Sequence, residues 1–303
     1  MMPDASQARC GFVALIGAPN AGKSTLLNAL VGAKISIVSR KVQTTRSLVR
    51  GIAVAGDAQI VFVDTPGIFA PRRRLDRAMV KSAWSGASDA DVVALIVDSR
   101  KGIDAEVEAI LARLAARKAA PILVLNKIDL VARPKLLELT AALHAQLAFA
   151  ETFMISALSG DGIAHLKERL AALMPAGPWL YPEDQISDAP LRTLAAEITR
   201  EKIFDRLHDE LPYQTTVETQ AWTDRKDGSA RVEQTIYVTR AAHKKIVIGE
   251  KGRTIKAIGM AARKEIEAAA EQKIHLFLFV KVRENWQDDP ERYREIGIEF
   301  PND

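Results

Sequence analysis

An eight-residue stretch near the start of the chain has the residue types and the spacing that bind phosphate. Gly17 is followed, after four residues, by Gly22, Lys23 and Ser24, and the apolar run 12–16 precedes the stretch. A glycine-rich turn between a strand and a helix directs several backbone N–H groups at one anion. The lysine adds a mobile positive charge for the terminal phosphates, and the serine hydroxyl can bind Mg²⁺. We therefore predict a P-loop, with a glycine-rich turn that binds nothing as the alternative.

The end of a later apolar run carries a candidate magnesium ligand. Asp64 follows the run 60–63 and opens the tetrapeptide Asp-Thr-Pro-Gly, which ends at Gly67. A carboxylate in this position can bind Mg²⁺ through a water molecule, and the Gly67 N–H can donate to a terminal phosphate. An ordinary turn after a strand is the alternative interpretation. Together with the phosphate loop, the pattern predicts Mg²⁺ bound near Ser24 and Asp64.

Another strand end carries residues that could select a base. Asn126, Lys127 and Asp129 follow an apolar run, and Ser156 and Ala157 follow the next one. The Asp129 carboxylate can accept two hydrogen bonds from guanine, a donor pair that adenine lacks, and such a site can reject the wrong base by roughly 10⁴–10⁵-fold. Asn126 would join this loop to the phosphate loop, the Lys127 stem would cover the base, and the Ala157 N–H could reach the guanine carbonyl. The sequence thus predicts a guanine nucleotide, although an unrelated loop end would also fit this pattern alone.

The polar segment 37–46 is a candidate switch. It carries Thr44 and Thr45, and a threonine hydroxyl here could complete the Mg²⁺ shell only when the γ-phosphate is present. The sequence leaves the choice between the two threonines open; we favour Thr45, and a solvated loop is the alternative. Ile68, the residue after Gly67, cannot hydrogen-bond and so cannot orient an attacking water molecule; if the γ-phosphate is hydrolysed here, we expect slow hydrolysis or another catalytic group.

We predict three overlapping sets of residues at this site. The nucleotide-binding residues are Gly17, Asn20, Ala21, Gly22, Lys23, Ser24, Thr25, Asp64, Gly67, Asn126, Lys127, Asp129, Ser156 and Ala157. The metal ligands are Ser24, Thr45 and Asp64. The catalytic residues are Lys23, Thr45 and Gly67.

The elements that must position these residues alternate between strand and helix over residues 1–174. Strand character recurs at 11–16, 48–54, 59–64, 91–98, 121–126 and 152–156. Helical patterns occupy 25–30, 75–84, 106–117, 135–148 and 162–173. This order predicts an α/β fold with a doubly wound, mostly parallel sheet, and a Gly-Asp turn at 56–57 predicts a hairpin between the second and third strands. Ligands bind outside the carboxyl ends of the strands in such sheets, which is where the motifs fall.

A proline-rich linker and a second domain follow. Residues 175–190 carry four prolines without periodicity and read as a connector that packs on the domain, through Trp179 and Tyr181. Over 191–303 the pattern predicts helix 191–207, strands 215–223 and 231–239, helices 241–248 and 253–270, and strand 274–282. That order is typical of an α+β, type II KH domain.

The second domain has a candidate RNA clamp at Gly249–Gly252. Two glycines between helices let backbone approach phosphates, and such an element clamps about four nucleotides of single-stranded RNA. Eight basic residues and one acidic residue lie between Arg240 and Lys264, whereas 191–303 as a whole carries 20 of each sign. A helical hairpin with a solvated basic face is the alternative. The predicted RNA-binding residues are His243, Lys244, Lys245, Gly249, Glu250, Lys251, Gly252, Arg253 and Lys256.

Composition limits the class of protein. The chain has 303 residues, 48% of them hydrophobic, and a net charge of +4. No apolar run approaches the ~20 residues that span a bilayer, and the start of the chain lacks a secretory pattern. Cys10 is the one cysteine, so no intramolecular disulfide or multi-cysteine metal site can form. We therefore expect a cytoplasmic protein, without a disulfide partner and monomeric.

Together these motifs resemble the Era family of translation-factor-like GTPases. The resemblance rests in the first half on Gly17–Ser24, Gln43–Arg46, Asp64–Gly67, Asn126–Asp129 and Ser156–Leu158. In the second half it rests on Arg200–Ile203, Glu210–Tyr213, the clamp, Val280–Arg283 and Trp286. It therefore covers nearly the whole chain.

The resemblance implies a GTPase with GTP or GDP, Mg²⁺ and, through Asn20, K⁺ as ligands, which adds Asn20 to the candidate catalytic residues. It also implies binding to the 3′ end of 16S-type small-subunit ribosomal RNA, help in assembly of the 30S subunit, and partial association with the periphery of the inner membrane. Rival functions are a membrane-associated regulatory GTPase and an RNA chaperone in which hydrolysis is incidental. A tRNA-modifying GTPase is a third, and the missing catalytic cysteine argues against it.

Overall fold

The structure is a computed structural model that describes residues 8–39, 41, 44–71, 73–116, 119–284, 286, 289–295 and 297–300. The described chain forms two compact units. The first contains residues 8–36, Thr45–Asp188 and 293–300, and the second contains 37–44 and 189–292. The predicted domain limits at residues 174 and 190 differ from these units and stay a prediction.

A six-stranded sheet forms the centre of the first unit. Its strands are β1 (Arg9–Ile16), β2 (Val49–Ala55), β3 (Ala58–Asp64), β4 (Val92–Asp98), β5 (Ile122–Asn126) and β6 (Thr152–Ile155). They lie in the order β2-β3-β1-β4-β5-β6, with β2 and β3 antiparallel and the other pairs parallel. The prediction of a doubly wound, mostly parallel α/β domain with one hairpin is confirmed.

Helices cover both faces of this sheet. They are α1 (Lys23–Val31), α2 (Arg74–Ser88), α3 (Ala105–Leu114), α4 (Arg133–Gln146) and α5 (Ile163–Leu173). Side chains alternate along β1, so that Val13 and Leu15 belong to a core with α1 and α5, and Ala14 and Ile16 to a core with α2, α3 and α4. Both faces of the parallel strands are therefore buried, which explains their continuous apolar runs.

Some helix ends differ from the predicted ones. α2 is longer than expected, and its first turn is capped by Asp76, whose carboxylate accepts a hydrogen bond from the Arg73 backbone N at 3.0 Å. α4 starts earlier because Pro134 suits the first helical turn, and it ends before Leu147, whose backbone is extended. The predicted end of α3 at residue 117 lies outside the described residues.

The segment 174–188 packs along the first unit. The buried Gln59 side chain donates to the Tyr181 carbonyl at 2.8 Å and accepts from the Tyr181 backbone N at 3.0 Å. The indole N–H of Trp179 donates to the Asp57 carbonyl at 3.1 Å. The expectation that the proline-rich segment packs on the protein is therefore met.

The end of the chain also packs on the first unit, which the sequence did not predict. A short helix, numbered α9 in chain order (Pro290–Glu295), precedes a turn at Gly297. Tyr293 and Ile298 are buried against Leu75 and Met79 of α2. This segment therefore belongs to the core around α2.

The second unit is a three-stranded sheet with helices. Its elements are α6 (Leu191–Arg206), β7 (Thr215–Asp224), β8 (Ala230–Val238), α7 (Ala241–Ile248), α8 (Arg253–Ala270) and β9 (Ile274–Val282). The sheet order is β7-β8-β9, antiparallel and then parallel. The parallel pair needs a crossover, which α7 and α8 provide. The predicted type II KH order is confirmed. Among the described residues, no helix has the length and apolar character needed to cross a membrane.

Candidate functional site

The sequence motifs of the first unit meet at one edge of its sheet. In the parallel register Leu15 lies beside Asp64, and Asp98 lies beside Asn126. These are positions at the carboxyl ends of β1, β3, β4 and β5. The topology therefore brings the phosphate loop, the magnesium motif and the base-selecting motif together.

The phosphate loop passes into α1 at a glycine that no other residue can replace easily. Gly22 precedes the helix with φ 97°, a left-handed conformation. A Cβ atom added there would lie 2.2 Å from the side-chain nitrogen of Asn126. Glycine thus allows both the turn and the close approach of the base-selecting loop.

Lys23 is buried at the centre of this loop, with 6% of its surface exposed. Its ammonium donates to the carbonyl oxygens of Gly17 and Ala18, both at 3.1 Å. Burial lowers the pKa of the Lys23 ammonium to about 8, against an opposing effect of the nearby Asp64 carboxylate. An anion bound in the loop would compensate this buried charge.

The predicted metal ligands lie together. The Asp64 carboxylate accepts hydrogen bonds from Ser24 Oγ at 2.6 Å and Thr45 Oγ1 at 3.3 Å, and the two hydroxyl oxygens are 2.9 Å apart. Ser36, which the sequence analysis missed, donates to the same carboxylate oxygen at 3.0 Å. Burial raises the pKa of Asp64, opposed by Lys23 and by these hydroxyl donors.

This set of oxygen atoms fits a magnesium ion. Asp64 Oδ1 is buried and makes no hydrogen bond with the described residues, so the carboxylate keeps an acceptor for a further ligand. Hydroxyl and carboxylate oxygens are the donors that Mg²⁺ prefers. In the described ranges no group of three or more His, Cys, Asp or Glu side chains forms an alternative metal site.

The two candidate threonines have different surroundings. Thr45 lies in the oxygen cluster, whereas Thr44 Oγ1 donates to the Lys41 carbonyl at 2.9 Å. This geometry favours Thr45 as the ligand. Gln43 and residues 40 and 42 of the candidate switch segment 37–46 lie outside the described residues.

Asn126 connects three loops. Its side-chain amide donates to the Ala21 carbonyl at 2.9 Å, and its oxygen accepts from the backbone N atoms of Lys127 at 2.8 Å and Ala157 at 3.0 Å. The Ala157 N–H, which we expected to reach guanine, therefore donates to Asn126 here. Ser156 is buried beside it, and Asp129 is exposed on a short 3₁₀ turn, Ile128–Leu130.

The remaining nucleotide-site residues line the same loops. Gly67 approaches the phosphate loop so closely that a Cβ atom would lie 2.9 Å from Pro19 Cα. Ile68 is buried in the core, and its backbone N donates to the Gly17 carbonyl at 3.1 Å. Thr25 is half-buried in the first turn of α1. An Ile68 side chain in the core cannot orient a water molecule.

The candidate RNA clamp forms a tight turn between α7 and α8. Gly249 ends α7 with φ 73°, and a Cβ atom there would lie 2.2 Å from Thr254 Oγ1. Gly252 directly precedes α8, and no side chain caps the start of this helix. Glycine at 249 is thus a steric requirement of the turn.

The side chains around the clamp are mostly exposed. The exposed or half-exposed predicted contacts are His243, Lys244, Lys245, Glu250, Lys251, Arg253 and Lys256. Arg253 forms an ion pair with Glu250, and His243 Nδ1 lies 3.0 Å from Thr239 Oγ1. The clamp therefore presents four exposed or half-exposed lysines, together with one arginine that is already paired with Glu250.

Comparison with known proteins finds relatives over the whole chain. Residues 12–127 match the model of the 50S ribosome-binding GTPase family, and residues 210–287 match the KH domain model. The GTPase Era of Afipia carboxidovorans is 66% identical over 304 residues, which cover 100% of this chain and 99% of that protein. The GTPase Era of a Bradyrhizobium species is 65% identical and covers 98% and 97%.

Two solved structures are similar to this chain over nearly its whole length. An Era variant from Aquifex aeolicus bound to GDP·AlF₄⁻ is 37% identical, with a TM-score of 0.90 over 95% of this chain and 99% of that chain. Era in complex with MgGDPNP and nucleotides 1506–1542 of 16S ribosomal RNA is 37% identical, with a TM-score of 0.89 over 96% and 99%.

Proposed function

This chain belongs to the family of the GTPase Era, and from that premise we propose that it is a GTP-hydrolysing switch that binds ribosomal RNA. Its ligands are GTP or GDP with Mg²⁺, and its RNA target is the 3′ end of the small-subunit ribosomal RNA. The process that it assists is assembly of the 30S subunit. The relative solved with MgGDPNP and a 16S fragment supports this proposal.

One observation carries the proposal: the hydroxyl groups of Ser24 and Thr45 both lie against the Oδ2 atom of the Asp64 carboxylate. Ser24 and Thr45 would ligate Mg²⁺ directly, and Asp64 would hold it through water. Bound Mg²⁺ neutralises the phosphate oxygens on which charge develops during hydrolysis. Thr45 joins this set from the candidate switch segment, so its position would report the nucleotide state.

The other residues at the site hold the substrate. Lys23 would move from the Gly17 and Ala18 carbonyls to the terminal phosphates, and the Gly67 N–H would donate to the γ-phosphate. Asp129 would accept the guanine N1–H and amino group, while Asn126 keeps the base and phosphate loops together. No side chain equivalent to a water-orienting glutamine is present at Ile68, so we propose slow intrinsic hydrolysis.

We further propose that Asn20 contributes to a K⁺ site beside the phosphates. Asn20 lies in the phosphate loop with φ 62°, a left-handed conformation that is uncommon outside glycine. A cation held there would stabilise the charge that develops on the leaving phosphate, as an arginine finger does in other GTPases.

The second unit would bind RNA through the Gly249–Gly252 turn. The uncapped start of α8 and the lysines around the turn suit phosphate, so affinity should fall steeply as salt rises. We place the protein in the cytoplasm as a monomer, with peripheral association at the inner membrane. We also retain the domain limits 1–174, 175–190 and 191–303 as part of the proposal.

The experiment compares wild type with Lys23→Ala for steady-state GTP turnover and for binding to a 3′-terminal 16S fragment in the absence of nucleotide. The matched control is Lys135→Ala, which removes an exposed lysine of α4. We expect Lys23→Ala to lose turnover by about 10²-fold or more, because it removes a charge from the transition state, and to keep RNA binding. The control should behave like wild type in both assays.

Wild-type turnover by Lys23→Ala would contradict the assignment of the catalytic site. RNA binding without measurable turnover in the wild-type protein would favour an RNA chaperone instead. Absence of RNA binding, with co-sedimentation on anionic vesicles, would favour a regulatory GTPase at the membrane.

A further inference from the structure

The Asp98 side chain is a buried carboxylate at the end of β4. It lies outside the phosphate loop and outside the cluster of Ser24, Ser36, Thr45 and Asp64, which is called the magnesium cluster below. Asp98 is 4% exposed, and both of its oxygens accept hydrogen bonds. Oδ1 accepts from the Arg100 backbone N at 3.0 Å and from Arg100 Nε at 3.2 Å. Oδ2 accepts from Arg100 Nη2 at 2.9 Å and from Lys127 Nζ at 2.6 Å. Burial alone would raise the pKa of Asp98, but these donors outweigh it and hold the pKa at about 2, so the group is charged at any working pH.

The Lys127 ammonium joins this carboxylate to the phosphate loop. It donates to Asp98 Oδ2 at 2.6 Å and to the Asn20 carbonyl at 2.6 Å. Asn20 and Lys127 both have positive φ angles, 62° and 66°, which side-chain-bearing residues rarely adopt. One ammonium, fixed by one buried carboxylate, thus links two strained residues of two different loops.

The backbone of Lys127 also sets the direction of Asp129. Lys127 is the residue from which the 3₁₀ turn Ile128–Leu130 starts, and its carbonyl accepts from the Leu130 backbone N at 3.1 Å. Asp129 itself is exposed, so its orientation depends on this turn. A displacement of Lys127 would therefore move the carboxylate that reads the base.

We propose that Asp98 is a positioning residue for guanine recognition, which aligns the base-reading turn with the phosphate loop by holding Lys127 on the Asn20 carbonyl. The inference rests on the proposed function, in which Asp129 binds guanine. In this role Asp98 would act through its hydrogen bond with Lys127 and not by contact with the nucleotide. Asparagine would not serve, because it is neutral and its NH₂ group would stand where Asp98 Oδ1 now accepts two hydrogen bonds from Arg100.

The test measures the affinities of the full chain for GDP and for inosine diphosphate, by competition against a fluorescent GDP analogue. Inosine diphosphate lacks the 2-amino group, one of the two donors assigned to Asp129. In Asp98→Asn we expect GDP affinity to fall by about tenfold and inosine diphosphate affinity much less, so that the ratio of the two falls several-fold. A residue that merely stabilises the fold would lower both affinities together.

Two further variants control the experiment. Asp104→Ala removes another structural aspartate of the same region, whose Oδ1 caps α3 by accepting from the Val107 backbone N at 2.9 Å, and it should leave the ratio unchanged. Asp98→Glu keeps the charge but shifts the carboxylate, and it should lower the ratio less than Asp98→Asn. It also replaces the asparagine variant if that variant does not fold.

The outcomes distinguish a failure of guanine recognition by Asp129 from a failure of the positioning role of Asp98. A wild-type protein that binds both nucleotides equally would contradict guanine recognition by Asp129, and with it the proposed function. A wild type that prefers GDP, together with Asp98 variants that keep the full preference, would overturn the positioning role alone.

Discussion

At the scale of single residues, Lys23 has the clearest pH signature. Its ordinary pKa of 10.5 is lowered to about 8 by burial. Between these two values the unfolded chain binds a proton that the folded chain has lost, so this residue makes the free energy of unfolding rise with pH from about 8 to 10.5. Phosphate oxygens would favour the charged form and raise the pKa again.

We therefore predict that GDP moves the titration of Lys23 upward. NMR of the protein with ¹³C-labelled lysines should show one resonance that titrates near pH 8 without nucleotide and at a clearly higher pH with GDP and Mg²⁺. The resonance is assigned by its absence in Lys23→Ala. A midpoint near 10.5 in the nucleotide-free protein would show that the buried ammonium is better compensated than its contacts indicate.

Asn20 gives a second prediction at this scale. If it helps to hold K⁺, GTP turnover of the wild type should be about tenfold higher in KCl than in NaCl of the same ionic strength. Asn20→Ala should turn over GTP equally in both salts, while the control Lys135→Ala keeps the dependence. Equal wild-type rates in the two salts would exclude the K⁺ site.

How much of the site the sequence predicts depends on whether a residue lies in a motif. Ser24, Asp64 and Asn126 were predicted because their chemistry needs a fixed place relative to a strand end, and the structure brings them together. Ser36 and Asp98 were missed because each reaches the site only through tertiary contacts. Asp98 did carry a signal, since it ends an apolar strand just as Asp64 does.

At the scale of secondary-structure elements, periodicity was sufficient for the strands and for the order of the helices. It could not predict which distant segments share a core. The proline-rich segment hydrogen-bonds to Gln59, which lies more than 100 positions earlier in the sequence. The end of the chain packs on α2, which lies more than 200 positions earlier. Such contacts depend on shape and burial in three dimensions, which local patterns do not encode.

The packing of the chain end on α2 can be tested by removing its central ring. Tyr293 is 1% exposed and stacks edge-on against Phe300 with the ring centroids 4.9 Å apart. Tyr293→Ala should lower the free energy of unfolding of this segment by about 3 kcal/mol, because large-to-small changes leave a cavity. Denaturant titration and protease cleavage after residue 290 measure the loss. Glu299→Ala, which breaks the fully exposed pair with Lys81 nearby, should leave both unchanged. Identical cleavage of the wild type, Tyr293→Ala and Glu299→Ala would show that the packing of Tyr293 does not stabilise this segment.

At the scale of the whole molecule, the candidate switch segment joins the two units through the chain itself. Within the second unit, Arg200 of α6 donates to the Thr44 carbonyl, and Glu201 accepts from the Val38 backbone N at 2.8 Å. The next residue, Thr45, belongs to the magnesium cluster of the first unit. A peptide bond therefore connects a residue held by the RNA-binding unit to a residue that would sense the γ-phosphate.

This connection predicts that GTP and RNA change each other's affinity. If loading with GTP draws Thr45 onto Mg²⁺, the segment before Thr45 must shift relative to α6. By linkage, GTP then changes the affinity for RNA by the same factor as RNA changes the affinity for GTP. We expect a coupling free energy of about 1–3 kcal/mol, which is a 5–150-fold change in either affinity. The measurement is the affinity of a 3′-terminal 16S fragment for protein loaded with GDP or with a non-hydrolysable GTP analogue. Arg200→Gln, which weakens the hold on Thr44, should reduce the difference. Arg192→Ala on the same helix, whose side chain contacts only the Thr219 and Gln220 carbonyls among the hydrogen bonds described, should preserve it. Equal RNA affinity in both nucleotide states of the wild type would mean that the two units work independently, and then the switch segment has no role in RNA binding.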